Sequence, residues 1–253
     1  MKITLADLTI EIKNRYPYAE EYCRDYVAEA DAVPDLSFAI QESDISFERE
    51  KAALEDAAMG FPIHSYSDEY LETLAIYRKI AEETPFRQVV LFHGSAIAID
   101  GITFLFTAKS GTGKSTHSRL LRELLGDRAV MINDDKPLLK ITDQGVTVYG
   151  TPWNGKHHLG MNASAPLKAI CILERGVQNE ITPISYLDAY PMLLQQCYRP
   201  ADQEQMLRTL SLLNQLEKTV RFYRLRCNVE RDAAITSYST LKELVKPYET
   251  TDN

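Results

Sequence analysis

The sequence predicts an α/β fold with a small N-terminal α+β region, and three observations carry that expectation. A glycine-rich segment, Ser110-Gly111-Thr112-Gly113-Lys114-Ser115, stands between an apolar run (Ile102–Phe106) and a helix-periodic run with Leu120, Leu121, Leu124 and Leu125. The apolar runs around it are continuous rather than alternating, as in strands buried on both faces of a central sheet. The texture changes at Gln88, which divides the chain into residues 1–87 and 88–253.

Taken in order, Ile3–Ile12, Leu36–Ile40 and Ile45–Glu48 alternate loosely and read as short, half-exposed strands. In Tyr70–Glu83, residues Leu71, Leu74, Ala75, Tyr77 and Arg78 fall at helical spacing, Ser67 and Asp68 offer an N-cap, and Pro85 closes the segment. Strand-like runs follow at Val89–Phe92, Ile97–Ile99, Ile102–Phe106, Ala129–Ile132, Val146–Tyr149 and Ile170–Leu173. Helices are expected at Leu187–Cys197, Gln203–Leu216 and Asp232–Lys246, with a strand at Phe222–Arg226 between the last two.

Composition bounds the class. The 253 residues are 45% hydrophobic and 25% charged, with 28 Lys+Arg against 36 Asp+Glu and a net charge of −8. This is the balance of an ordinary globular protein, not of a disordered, collagenous or disulfide-scaffold chain. A pI near 5.2 argues against non-specific nucleic-acid binding. The four cysteines (Cys23, Cys171, Cys197, Cys227) form no CxxC pair, so neither structural zinc nor a redox dithiol is expected. Asp7, Glu11 and Lys13 interrupt any secretory apolar stretch, and later apolar runs are strand-sized. A cytoplasmic protein with no membrane partner is the expectation, with a homo-oligomer left open.

The segment Ser110–Ser115 carries most of the pattern G-x4-G-K-S/T, with Ala108 at the place of the first glycine. Glycines let several backbone N–H groups converge on a polyphosphate without a Cβ in the way. A helix opening directly after the loop adds its N-terminal amides and dipole. In this pattern the lysine, Lys114, reaches the outer phosphates and the hydroxyl of Ser115 meets magnesium. The plain alternative is a glycine turn joining a strand to a helix. Twenty residues on, Ala129-Val-Met-Ile-Asn-Asp-Asp135 resembles a Walker B strand end. A helix of about ten residues runs ~15 Å away from the loop and a strand of about five runs ~17 Å back. Asp134 and Asp135 are therefore expected at the same sheet edge as the loop, where open α/β sheets bind ligands. Two carboxylates there can serve a magnesium shell and accept a proton, and their mutual repulsion raises one pKa.

Together with His93-Gly94 upstream, these motifs resemble HPr kinase/phosphorylase, specifically its catalytic domain, and more distantly phosphoenolpyruvate carboxykinase. The similarity covers roughly Gln88 to Ile141, with weaker similarity through the rest of the chain. The resemblance implies a P-loop kinase core of the HPr kinase / phosphoenolpyruvate carboxykinase type over residues 88–253. It implies ATP and Mg2+ as cofactors, held by Ser110, Gly111, Thr112, Gly113, Lys114, Ser115 and Thr116, with Ser115 and Asp134 at the metal. It places His93 near the transferred phosphoryl group and makes Asp135 the base, although the two aspartates can exchange roles. The Met-Glu-Ile-Arg-Gly signature of the family is missing; the corresponding stretch is Tyr149–Gly160. The chain looks more like stand-alone HPr-kinase-like proteins, some of them associated with peptide-modification loci, which makes HPr itself a doubtful substrate.

That stretch holds Trp153, Asn154, Gly155, Lys156 and the His157-His158 pair. Lys156 is a candidate cationic clamp on the transferred group, and a turn with Trp153 packed on the core is the structural alternative. Arg175 reads equally as a phosphate contact or as a surface residue. The expected activity is transfer of the γ-phosphoryl of ATP to a hydroxyl of a peptide, protein or small molecule. The alternatives are a nucleotide-binding regulator or scaffold without turnover and, behind it, a carboxykinase. The acceptor, and whether ADP or pyrophosphate replaces ATP, are not legible.

Overall fold

The structure is a computed structural model and describes residues 1–155 and 158–245. The chain divides into two compact units, Met1–Arg87 and Gln88–Asn253.

In the first unit, β1 (Lys2–Leu5) and β2 (Leu8–Lys13) form a hairpin, and β2 pairs in parallel with β3 (Leu36–Ala39). The hairpin turn is Ala6-Asp7, both residues at positive φ (51° and 61°), the backbone a two-residue turn needs to match strand twist. After α1 (Tyr18–Tyr22) come two long helices, α2 (Glu42–Met59) and α3 (Asp68–Glu83). The hydroxyl of Ser67 caps α3 by accepting from Tyr70 N.

Residues Ile45–Glu48, read from their alternation as a strand, lie inside α2. The reason is a capping box: Gln41 and Asp44 satisfy each other's backbone N–H groups and start a helix there. Ile45 and Glu48 are both buried, which fits their three-residue spacing on one helix face. Four residues are too few to separate period 2 from period 3.6.

Glu72 of α3 is fully buried, and its carboxylate accepts from the backbone N–H of Arg15 (2.5 Å) and Tyr16 (3.0 Å). Glu72→Ala leaves both donors without a partner. It is expected to destabilise the first unit by ~2–4 kcal/mol, with Glu72→Gln losing less. Urea unfolding followed by hydrogen exchange within residues 1–87 measures the difference.

The second unit is mixed α/β around one curled sheet. Its strands are β4 (Val89–Leu91), β5 (Ser95–Ile99), β6 (Ile102–Thr107), β7 (Ala129–Asn133), β8 (Leu138–Thr142), β9 (Gly145–Tyr149), β10 (Ser164–Arg175), β11 (Glu180–Ile184) and β12 (Arg221–Cys227). Helix α4 (Lys114–Leu125) lies between β6 and β7; α5 (Tyr186–Gln196), α6 (Gln203–Thr219) and α7 (Arg231–Leu241) occupy the C-terminal part. Strands run in the order β4-β8-β9-β10-β6-β5-β7, and β12 adds to β10 with β11 outside it. The long β10 makes the curl possible: Ser164–Pro166 pair with β9, while its later residues pair with β6 and with β12.

The central strands are apolar throughout because alternate residues enter different cores. Leu105, Ile170 and Ile172 face a cluster with Leu193, Leu213 and Leu216 of α5 and α6. Phe104, Phe106, Ala169 and Cys171 face one with Leu121 of α4 and Ala234 of α7. All four cysteines are buried and unpaired. No described helix is long and apolar enough to cross a membrane.

Candidate active site

Strand register brings three separated stretches to one edge of the second unit. Strand β6 ends at Thr107 and releases the glycine loop. Strand β5 is antiparallel to it with Ser95 opposite Phe106, so the entry to β5, including His93 and Gly94, lies at the same edge. Strand β7 is antiparallel to β5 with Asn133 opposite Ala96, so its exit into Asp134 and Asp135 arrives there as well. One cavity of about 440 Å³ is lined by His93, Ser110, Gly111, Gly113, Lys114, Ser115, Thr116, Asp134, Asp135 and Gly155.

The loop conformation depends on its two glycines. Gly111 and Gly113 have φ of +75° and +124°, and Gly113 is the residue from which α4 starts. Side chains rarely adopt such backbone. Ala108 is not among the positive-φ residues and its side chain is fully buried in the α4-side core. The position departing from the glycine pattern therefore needs no glycine here. The Nζ of Lys114 donates to Ala108 O at 3.2 Å, folding the ammonium back across the loop.

The acidic pair is held from several sides. The hydroxyl of Ser95 donates to Asp134 Oδ1 at 2.5 Å. The fully buried Asn133 amide donates to Thr151 O (3.2 Å) and Oγ1 (3.0 Å), while its Oδ1 accepts from the N–H of Asp135 (2.9 Å) and Lys136 (2.6 Å). Asn133 thus fixes the turn carrying both carboxylates. Gly155 closes over that turn at φ +77°, where a Cβ would stand 3.1 Å from Asp134 O.

His93 Nε2 lies 3.3 Å from Asp135 Oδ1. The ring is anchored through its backbone: His93 N donates to Gln196 O (2.8 Å) and His93 O accepts from Thr107 Oγ1 (2.9 Å). Burial, helped by the ammonium groups of Lys136 and Lys114, pushes the imidazole down to about 4, so it is neutral at physiological pH. Burial raises the Asp135 carboxyl above its ordinary value; Asp134 pushes the same way, and Lys136 and Lys114 oppose both. Burial also lowers the Lys114 ammonium, as does Lys136, against the pull of Asp135 and Asp134.

Ten of the eleven residues the sequence singled out fall within the described chain. Nine of these line the one cavity, whereas Thr112 lines a neighbouring cavity instead. Lys156 and His157 lie outside the described residues. Trp153 is buried, and His158 is exposed. Sequence reasoning gave no role to Ser95, Asn133, Lys136 or Gln196. Asn133 stands inside the quoted acidic motif, Ser95 directly follows His93-Gly94, and Lys136 follows the acidic pair directly. Gln196 carries no local signal, because only the fold brings the end of α5 to His93.

Residues 63–232 match the family described as SynChlorMet cassette protein ScmC, and the chain belongs to that family. No curated protein matches. A solved structure, the Hpr(Ser) kinase/phosphatase from Coxiella burnetii, overlaps 62% of this chain and 99% of its own at 10% identity, with a TM-score of 0.34. An overlap of that size does not by itself define a shared fold.

Proposed function

We propose that this ScmC-family chain is an ATP-dependent phosphotransferase with a P-loop core of the HPr kinase type, moving the γ-phosphoryl to a hydroxyl of a peptide, protein or small molecule. A single observation carries the reading. The glycine loop with Lys114 and Ser115 shares one cavity with a carboxyl raised in pKa, Asp135, and with a neutral histidine in contact with it.

The roles follow from chemistry. Loop amides and the first turn of α4 receive phosphate oxygens, and Lys114 neutralises charge on the outer ones. Asp135 accepts the proton of the attacking hydroxyl as its oxygen bonds to the γ-phosphorus and the bond to the ADP oxygen breaks. Its raised pKa brings it closer to the value a proton acceptor needs. His93, neutral and 3.3 Å away, orients that carboxylate by donating through Nε2.

The donor set suits magnesium: the Ser115 hydroxyl and the Asp134 carboxylate are hard oxygen ligands lining the same cavity. Magnesium characteristically takes one or two protein oxygens and completes its shell with phosphates and water. The Ser95 bond would fix the orientation of Asp134 toward it. When bound, the ion would offset charge between the outer phosphates.

The test is incubation of the pure protein with γ-labelled ATP, magnesium and the products of neighbouring genes, followed by mass spectrometry. Phosphate on a defined hydroxyl, with ADP released and Lys114→Ala silent, is the expected result. Label on no hydroxyl, with wild type and Lys114→Ala indistinguishable, overturns it. Tight ATP binding with no transfer to any acceptor marks a regulator instead.

A further inference from the structure

The end of α5 reaches the site from a part of the chain that carries none of its motifs. Phe92 pairs with Cys197 in an isolated antiparallel bridge flanked by two bonds: His93 N donates to Gln196 O at 2.8 Å, and Tyr198 N to Leu91 O at 2.9 Å. Side chains of successive residues in such a pair point to opposite faces. Phe92 and Cys197 are both buried in the core beside α5 and α6. The side chains of His93 and Gln196, directly opposite each other, therefore share the other face.

Gln196 is more than nine-tenths buried, and its side-chain amide hydrogen-bonds the His93 imidazole. With Nε2 of the ring 3.3 Å from Asp135 Oδ1, the nitrogen left for the amide is Nδ1. In a neutral imidazole the bond made at one nitrogen decides whether the other carries the proton.

We propose that Gln196 is a positioning residue: its amide N–H donates to Nδ1 of His93, which holds the ring proton on Nε2 and directs it at the Asp135 carboxylate. For its effect on turnover the inference rests on the phosphotransferase reading above; for the tautomer it does not.

The reverse arrangement, with the amide oxygen on the ring, would put the proton on Nδ1 and favour the charged imidazole. It would also satisfy Gln196 Oε1, yet that oxygen is buried without a hydrogen-bond partner, so the amide nitrogen is the end that meets the ring. An orphaned buried acceptor is costly. The amide bears that cost because turning over would set two acceptors, the Nε2 lone pair and the Asp135 carboxylate, 3.3 Å apart. Only the Nε2–H form can donate to Asp135, so the tautomer decides whether the carboxylate is held or repelled.

Long-range proton–nitrogen NMR of isotope-labelled protein at neutral pH reads the tautomer, with the His93 ring assigned by its loss in His93→Asn. Wild type is expected to carry the proton on Nε2. Gln196→Glu, which offers Nδ1 only an acceptor, is expected to move the proton to Nδ1, and Gln196→Met to leave a mixture. Both variants keep the main-chain bond between residue 196 and His93, and Gln196→Met carries the test if the glutamate variant folds poorly. Hydrolysis of magnesium-ATP, with water in place of the acceptor, is expected to fall ~10–100-fold in kcat with KM for ATP unchanged, the scale for outer partners that orient a histidine. A wild-type proton on Nδ1, or a tautomer that neither variant moves, overturns the inference; so does a moved proton with unchanged kcat. Wild type that neither hydrolyses ATP nor transfers phosphate overturns the phosphotransferase reading instead, and the spectrum still decides the tautomer.

Discussion

Asp135→Asn is expected to lower phosphoryl transfer by ~10²–10⁴-fold, the range for loss of a positioned proton acceptor, while ATP affinity changes little. The amide keeps the shape of the carboxyl and its backbone N–H bond to Asn133 Oδ1 but has no basic lone pair for the hydroxyl proton. In the wild type, activity is expected to fall as pH drops through the Asp135 pKa, which lies above the ordinary carboxylate value. His93 stays neutral until about pH 4, so a limb at higher pH belongs to Asp135. In the variant that limb disappears from the residual rate.

Stability moves the other way. A carboxyl whose folded pKa is raised stabilises the fold when protonated, and loses that contribution as pH rises through the folded value. Ionising Asp135 is therefore a burden on the native state. The variant is expected to melt at the wild-type temperature or above it, by calorimetry in the absence of nucleotide. Loss of activity accompanied by a lower melting temperature at neutral pH would point to a structural role for Asp135 instead.

The segments that carried this site were legible where chemistry and local structure coincide. Strand β6, the positive-φ glycines and α4 are one contiguous stretch whose residue types have few other uses. The helix over Asp68–Glu83 announced itself through Ser67 and its apolar spacing.

What stayed hidden depends on tertiary structure. Strand β8 (Leu138–Thr142) follows Pro137 and mixes apolar with polar residues, and β11 contains Pro183, a residue that weakens a strand signal. The start of α2 is decided by a reciprocal bond between Gln41 and Asp44, which alternation at Ile45–Glu48 does not reveal. Within the site, Asp134 and Asp135 were visible as a pair, and only the family resemblance, not the residues themselves, assigned them different roles. Asp135 is set apart by the approach of His93 and by a carboxyl raised above its ordinary value, whereas the more deeply buried Asp134 takes the Ser95 hydroxyl. Those distinctions come from the return of β5 along β6 and of β7 along β5.

Lys114→Ala is expected to abolish the nucleotide-induced rise in melting temperature and to cut transfer by ~10²–10³-fold, the scale for losing one donor to developing charge. The lysine sits in a partly buried site within electrostatic reach of a second cation, Lys136. Burial and that neighbour hold its ammonium below the usual lysine value even though Asp135 and Asp134 attract it. A lysine lowered in this way is more readily charged in the unfolded chain, so at neutral pH its charge weakens the empty fold. Removing it is therefore expected to leave the ligand-free melting temperature unchanged or higher, and under the proposed function a phosphate at the loop would make the charge favourable.

Coupling to Asp135 supplies a second readout. Lys114 is one of the two cations that oppose the rise in the Asp135 pKa, so its loss raises that pKa further. The acid limb of the residual rate is expected to move to higher pH in Lys114→Ala, measured as a profile of kcat/KM. A variant that loses ATP binding with no movement of the limb would separate the loop from the carboxylate. A shift of both together is the outcome expected of two groups sharing one cavity, because the charge proposed to hold the phosphates also sets the basicity of the carboxylate proposed to take the proton.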